Sequence, residues 1–314
     1  MSATSRSSHP LRVTKFEIPV ATPFRLDLTV SALRRLSTNL VDVYTADGRY
    51  LRALGGLSTP VIVSVTQPGS NLLEVTVRGS AQEAPDALAA VRRMLGAERD
   101  LSDFHRQARK VSWLAPLARR MRGLKPPRYP TLFEACANAV LFQQVSLHAA
   151  SAILSRLVLT LGTRVEHDGM TLAVFPSVNR FLGADDAAIR ALGVSAGKLA
   201  TLRRVGEAIA SGDLTEAMLE SRSTPDAARL LGGIKGIGPW TAAVILLRGM
   251  GRLDAFPGND SGVAANLAAV AGEPLDAGRV AESLGAQRGM LYFNLLLARL
   301  EARGEIGRAS HAAT

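Results

Sequence analysis

Four glycines (Gly232, Gly233, Gly236, Gly238) fall within seven residues of one another in LLGGIKGIGPWTAAVILL, between two apolar runs of helical spacing. A helix does not run through such a segment, because each interior glycine costs it about 1 kcal/mol relative to alanine. The string predicts two helices joined by a tight turn. Gly232 and Gly233 suit a left-handed helix end, and the fixed φ of Pro239 suits the first position of the next helix. Between them, Gly236 and Gly238 present amide N–H groups beside a helix N-terminus with no Cβ in the way, a place that fits a phosphate. An ordinary helix corner with a glycine cap is the competing reading.

A chain of 314 residues that is 47% hydrophobic can bury two or three cores. The single cysteine, Cys136, excludes a disulfide framework and any four-cysteine zinc or iron–sulfur site. MSATSRSSHP at the start has no apolar stretch of a secretory signal, and no run of about 18 uncharged apolar residues is present to span a membrane. A reducing cytoplasm is the expected location. The net charge of +10 suits a polyanionic partner. Residues 101–130 carry eight Lys/Arg against one acid, Asp103; that stretch is either part of such a surface or a solvated basic face.

Two patterns divide the chain. PVIVSVTQ (60–67) and LLEVTVRG (72–79) alternate apolar and polar residues across a QPGSN turn, and APDALAAVRRMLG (84–96) reads as an amphipathic helix. From 101 onward helical spacing dominates and no strand is expected; residues 131–158 form a helical run with a break near Gln143 and Gln144. The predicted fold class is α+β: a small mixed-sheet domain over 11–98, a basic helical connection over 99–130, and an all-α domain over 131–300. Residues 1–10 and 301–314 read as loose tails.

The turn string, with Ile-x-Gly-Ile-Gly-x-x-Thr-Ala between leucines, resembles the helix-hairpin-helix motif of DNA-binding proteins. LDAFPGNDSGVAANLAAV (253–270) follows it at a spacing similar to that of the DNA glycosylase superfamily named for the hairpin and a catalytic aspartate. FQQVS (142–146) and LKPPRYPTLFEA (124–135) extend the likeness over residues 101–300. The α+β segment before it fits the 3-methyladenine DNA glycosylase II branch, whose members remove alkylated bases.

The resemblance implies roles by position. Asp260 stands at the catalytic aspartate, and the N-cap of the helix that follows is a compatible second role, with Asn259 as an alternative cap. Lys235, Gly236, Ile237, Gly238 and Thr241 form the phosphate-binding hairpin. Trp240 occupies the place of the Schiff-base lysine of strand-cutting members, which implies a monofunctional enzyme; its indole either stacks on an extruded base or belongs to the core. Gln144 stands where the family places its wedge, unless it merely belongs to a polar loop. Tyr292, or its neighbour Phe293, lines the base pocket where relatives carry a tryptophan and this chain has Leu295 or Leu296. Asp254 reads as a loop residue, and Arg248 and Arg252 either bind phosphate or brace the loop. The expected partner is double-stranded DNA with damaged bases, met by a monomer without cofactor, metal or membrane. A monovalent cation among the carbonyls of 234–238 is compatible with the motif. The alternatives are a hairpin protein that binds DNA without catalysis, and a glycosylase for deaminated or oxidised bases.

Overall fold

The computed structural model describes residues 12–55, 59–258 and 260–306. The expected N-terminal tail (1–10), Asn259 and the chain beyond 306 lie outside the described residues.

The N-terminal unit contains β1 (Arg12–Pro19), α1 (Leu26–Arg34), β2 (Asp42–Tyr44), β3 (Tyr50–Leu54), β4 (Val61–Thr66), β5 (Leu72–Gly79) and α2 (Ala84–Leu95). Its five strands form an antiparallel sheet in the order β1-β5-β4-β3-β2. The alternation in β5 does what it predicts: Leu73, Val75 and Val77 are buried while Glu74 and Arg78 face solvent. The apolar face is covered by α2, through Ala84, Ala87, Val91, Met94 and Leu95, and by α1.

Helix α1 is buried on two sides. Leu26, Val30 and Leu33 join the core under the sheet, and Leu28 and Ala32, with Leu36 just past the helix end, join the core of the helical unit. The spacing of three or four residues within each set places it on one helix face. Burying a leucine or valine contributes about 1.5–3 kcal/mol, so α1 fastens the two units together.

Next come α3 (Ser102–Ala108), α4 (Leu114–Arg120), α5 (Leu132–Leu141) and α6 (Leu147–Leu161). The basic connection is only partly a surface. Lys125 is buried with its Nζ on the carbonyl of Arg99 (2.7 Å), and Arg128 donates to the carbonyl of Met250 (2.9 Å). Burial and the neighbouring cations Arg93 and Arg99 lower the Arg128 pKa to about 10. Between α5 and α6 the break falls as expected, and Thr131 and Ser146 cap the two helices through Glu134 N and Ala149 N.

The expectation of an all-helical second unit misses one hairpin, β6 (Thr163–His167) and β7 (Met170–Val174). Leu172 packs with Leu51, Ala53 and Ile62 of the N-terminal sheet, so these strands are stabilised by a surface distant in sequence. Then follow α7 (Val178–Leu182), α8 (Asp186–Ala191), α9 (Ala196–Ser211), α10 (Glu216–Glu220), α11 (Thr224–Gly232), α12 (Pro239–Arg248), α13 (Ser261–Ala271), α14 (Ala277–Ser283) and α15 (Gly289–Ala302). Helix α15 runs past the expected start of the tail at 301, because Glu301 accepts from Arg120 (3.0 Å) and Glu305 from the Ser37 amide (2.9 Å). No helix among the described residues is long and apolar enough to cross a membrane.

A buried ionic network joins the units. Arg52 on β3 bonds Asp42 (2.6 Å) and Glu134 of α5 (2.6 Å), and Tyr50 donates to the same Asp42 oxygen (2.7 Å). Removing the guanidinium strands two buried carboxylates, so Arg52→Met is expected to lose about 3–5 kcal/mol in urea unfolding. The double variant Arg52→Met/Glu134→Leu should recover part of that loss. Equal stability of Arg52→Met and the parent would contradict the account.

Candidate active site

The hairpin turn is fixed from two sides. Gly236 has φ 102°, and a Cβ there would fall 1.9 Å from Thr201 Oγ1 on α9. The left-handed glycine is thus Gly236 rather than Gly232 or Gly233; Gly233 stays right-handed (φ −66°), because α11 tightens over its last residues instead of reversing. On the other side Gln143 Nε2 donates to the Gly236 carbonyl (3.1 Å) and to Thr241 Oγ1 (2.6 Å). Pro239 opens α12 as expected, with Gly238 as its N-cap at φ −86° in open space.

Only part of the expected phosphate set faces solvent. Lys235, Gly236 and Gly238 are exposed, and the amides of Gly236 and Gly238 have no acceptor among the described residues. Ile237 is buried and its amide bonds the Ile234 carbonyl (3.0 Å). Thr241, expected beside the phosphate, is 2% exposed and spends its hydroxyl on Gln143. The carbonyls of Ile234, Gly236 and Gly238 accept from Ile237, Gln143 and Ala242, and that of Lys235 takes a cationic donor, Arg204 Nη1, at 3.2 Å. No cluster of three His, Cys, Asp or Glu side chains able to hold a metal occurs among the described residues.

At the second residue of α12, Trp240 is half-buried, and its indole Nε1 donates to Asp260 Oδ2 at 2.7 Å. Asp260 caps α13, with Oδ1 accepting from the amides of Gly262 (2.7 Å) and Val263 (3.1 Å). Three N–H groups therefore hold the carboxylate at the positive end of a helix, on the rim of a cleft of about 920 Å³. The FQQVS loop, the hairpin, the starts of α12 and α13, and one face of α15 line this cleft.

On α15, Tyr292, Leu295, Leu296 and Arg299 follow one another at helical spacing along the cleft wall. Tyr292 stands edge-on to Phe293, with centroids 5.5 Å apart, while Phe293 itself is fully buried and outside the cleft. Gln144 is exposed at the tip of its loop with φ 52°, and Val145 beside it is 39% exposed.

Arg248 and Arg252 brace rather than reach out. Arg248 is fully buried, with Nη2 on the carbonyls of Ala32 (2.9 Å) and Leu33 (3.1 Å) and its guanidinium over Tyr129. Arg252 bonds the carbonyls of Leu219 and Arg222 (both 2.7 Å) and the hydroxyl of Thr224 (2.9 Å). Asp254 sits in a turn whose carbonyl accepts from Arg288 (2.7 Å). Burial pushes the Cys136 thiol up to about 12, so it is no nucleophile at neutral pH.

Sequence reasoning passed over Gln143, Arg299 and Arg35, all of which line the cleft. Arg299 had a signal, since it lies seven residues after Tyr292 on the same helix. Arg35 had none, since more than 100 residues separate it from the rest of the cleft lining. Burial and Arg303 lower the Arg299 pKa, against the pull of Asp260.

No protein-family model matches the chain. Among curated proteins, it is similar to DNA-3-methyladenine glycosylase of Bacillus subtilis, with 31% identity over 53% of this chain and 55% of that one. It is also similar to the probable bifunctional transcriptional activator/DNA repair enzyme AlkA of Mycobacterium tuberculosis, with 32% identity over 69% of this chain and 43% of that one. With DNA-3-methyladenine glycosylase 2 of Escherichia coli it shares 26% identity over 68% of this chain and 74% of that one. The chain spans about half the length of the first two of these. Among solved structures, the 3-methyladenine DNA-glycosylase of Archaeoglobus fulgidus superposes with TM-score 0.77 at 24% identity, covering 90% of this chain and 98% of that one. The 8-oxoguanine glycosylase/lyase of Clostridium acetobutylicum bound to double-stranded DNA does so with TM-score 0.71 at 16% identity, covering 94% and 98%.

The fold is that of the helix-hairpin-helix DNA glycosylases. Within them, the resemblance to the 3-methyladenine DNA glycosylase II branch read from the sequence holds.

The two hairpin glycines differ in what they tolerate. Gly236→Ala puts a Cβ into Thr201 at a left-handed φ and should cost about 1–3 kcal/mol or more. Gly238→Ala meets open space at an ordinary φ and should stay within about 0.5 kcal/mol of the parent. Thermal melting of the two variants reads the difference; equal melting points would mean that Thr201 does not confine the turn.

Proposed function

We propose that the chain is a monofunctional DNA glycosylase that extrudes an alkylated base, of the 3-methyladenine type, from duplex DNA and hydrolyses its N-glycosidic bond. The observation that carries this reading is Asp260, a carboxylate held by three N–H groups on a cleft large enough for a nucleotide.

The exposed amides of Gly236 and Gly238, the N-terminus of α12 and the Lys235 ammonium together receive a backbone phosphate, which positions the duplex without reading its sequence. A base inside a duplex must leave the stack before its bond to the sugar is reached. Gln144 enters the gap from the loop tip, where its amide hydrogen-bonds the unpaired base, and Val145 supplies an apolar contact next to it. The extruded base lies between Trp240 and Tyr292.

Cleavage of the bond between C1′ and the base nitrogen leaves the electron pair on the base. A ring-alkylated purine that was cationic departs neutral, so the reaction needs no strong acid. The positive charge that builds on the sugar, as in oxocarbenium-like glycoside hydrolysis, faces Asp260. A water molecule adds to C1′ and gives up one proton to solvent. Trp240 acts through Asp260 as a positioning residue. It stands where a strand-cutting relative has its lysine, so the product is an intact strand with an abasic site. We read the chain as a monomer acting in the cytoplasm, with Asp260 as the catalytic residue of a 131–300 glycosylase unit.

Asp260→Asn keeps the cap hydrogen bonds but removes the charge, and it should lower base release from methylated duplex DNA by about 100-fold or more while leaving duplex binding intact. Release at the parent rate would sink the assignment. Borohydride should trap no covalent adduct between the protein and abasic DNA; an adduct would reveal a lysine nucleophile and a lyase. Gly238→Asp should weaken binding to every duplex sequence and reduce the salt slope by about 0.9 for each phosphate that the hairpin no longer holds. An unchanged slope in the folded variant would place the phosphate elsewhere.

A further inference from the structure

Helix α1 ends on Arg35 in a conformation that favours glycine. Arg35 has φ 63° and ψ −74°, and the Leu36 amide bonds back to the Arg34 carbonyl at 2.9 Å. This is the three-residue γ-turn with positive φ, a strained form that non-glycine residues rarely adopt. Such strain persists where surrounding structure enforces it, and it concentrates at functional sites. Here the enforcement is visible: Arg248 grips the carbonyls of Ala32 and Leu33 just before the turn.

The strained residue carries a charge into the interior. Arg35 is 5% exposed, its guanidinium makes no hydrogen bond among the described residues, and its Nη1 is buried without a partner. Its flat face lies 3.8 Å from the centre of the Phe142 ring, in the FQQVS loop. Stacking uses the face of a guanidinium and leaves the in-plane N–H edge free. Arg35 lines the same cleft as Asp260, Trp240 and Tyr292, and also a small cavity of about 30 Å³. A buried, unsatisfied charged donor is costly unless something completes its hydrogen bonds.

We propose that Arg35 is a specificity-determining residue of the base pocket, donating to a carbonyl oxygen of the extruded base. Arginine has five N–H donors and no acceptor. At the purine C6 position it complements the carbonyl of an alkylated guanine and meets the amino group of an alkyladenine donor to donor. The pocket therefore favours alkylguanines over alkyladenines. This rests on the glycosylase reading above and names the substrate class of that site.

The test compares two bases released from one methylated duplex, 7-methylguanine and 3-methyladenine. Both are cationic before cleavage; they differ in methyl position and at C2 as well as at C6, so the reading is the change of their ratio when Arg35 is replaced, in which differences that do not involve Arg35 cancel. Arg35→Met should lower the ratio of guanine to adenine release by a factor of about 10–100. Arg35→Gly removes the same side chain while relieving the turn, so it should give the same fall even if Arg35→Met folds poorly; thermal melting of each variant is read alongside. An unchanged ratio overturns the proposal and leaves Arg35 as a structural residue, its Nη1 served by a water in the small cavity. Equal loss of both bases with a reduced salt slope also overturns it, because Arg35 would then hold a phosphate. If the parent protein releases neither base while binding duplex DNA, the glycosylase reading itself fails and this proposal with it.

Discussion

The approach of Gly236 to Thr201 is the constraint from which the cleft is built. A backbone that passes so near another helix cannot slide or tilt, and the Gln143 amide closes the turn from the opposite side. The direction in which α12 leaves the turn is therefore fixed. Trp240 lies on the first turn of that helix, and its indole fixes one oxygen of Asp260. A single close contact between α9 and a glycine thus determines where a carboxylate 24 residues further along the chain stands.

The same logic joins the sheet to the helices. The Arg52 pairs with Asp42 and Glu134 are buried, and buried pairs contribute little net stability against well-packed apolar groups. Their effect lies in what they forbid: any rotation of the sheet against α5 would separate charges that have no water to turn to. Arg248 does the same between α12 and α1 with two carbonyls. Apolar burial on both faces of α1 supplies the larger share of the free energy, and the arginines select the one arrangement in which it is used.

Local signals in the sequence carried local structure well. The alternation of β5, the break after Leu141 and the proline at the start of α12 were all legible, since each depends on neighbours within a few residues. The aspartate cap was legible for the same reason. The β6–β7 hairpin was not, because its strands are short and its apolar partners, Leu51 and Ile62, lie more than 100 residues away. Thr241 was expected beside the phosphate, and Arg248 and Arg252 each had two readings in the sequence. Their partners decide between these, and Ala32 stands 216 residues from Arg248. The turn glycines show the limit most clearly: four candidates compete for one left-handed position, and only contact with Thr201 selects Gly236.

The bonding of Asp260 constrains what it can do in the proposed reaction. One oxygen accepts two amides and the other accepts an indole N–H, so neither is free to swing toward a substrate. A carboxylate acting as a covalent nucleophile has to close on the sugar and shed part of its hydrogen bonding as it does so. A carboxylate acting by its charge gains nothing from moving, and its stabilisation of developing positive charge is greatest when its dipolar surroundings are already in place. The arrangement around Asp260 is of the second kind. The same fixity makes the cation-bearing walls of the cleft matter, since a flipped base must be brought to an immobile charge, and the groups that line its path decide which bases arrive in register.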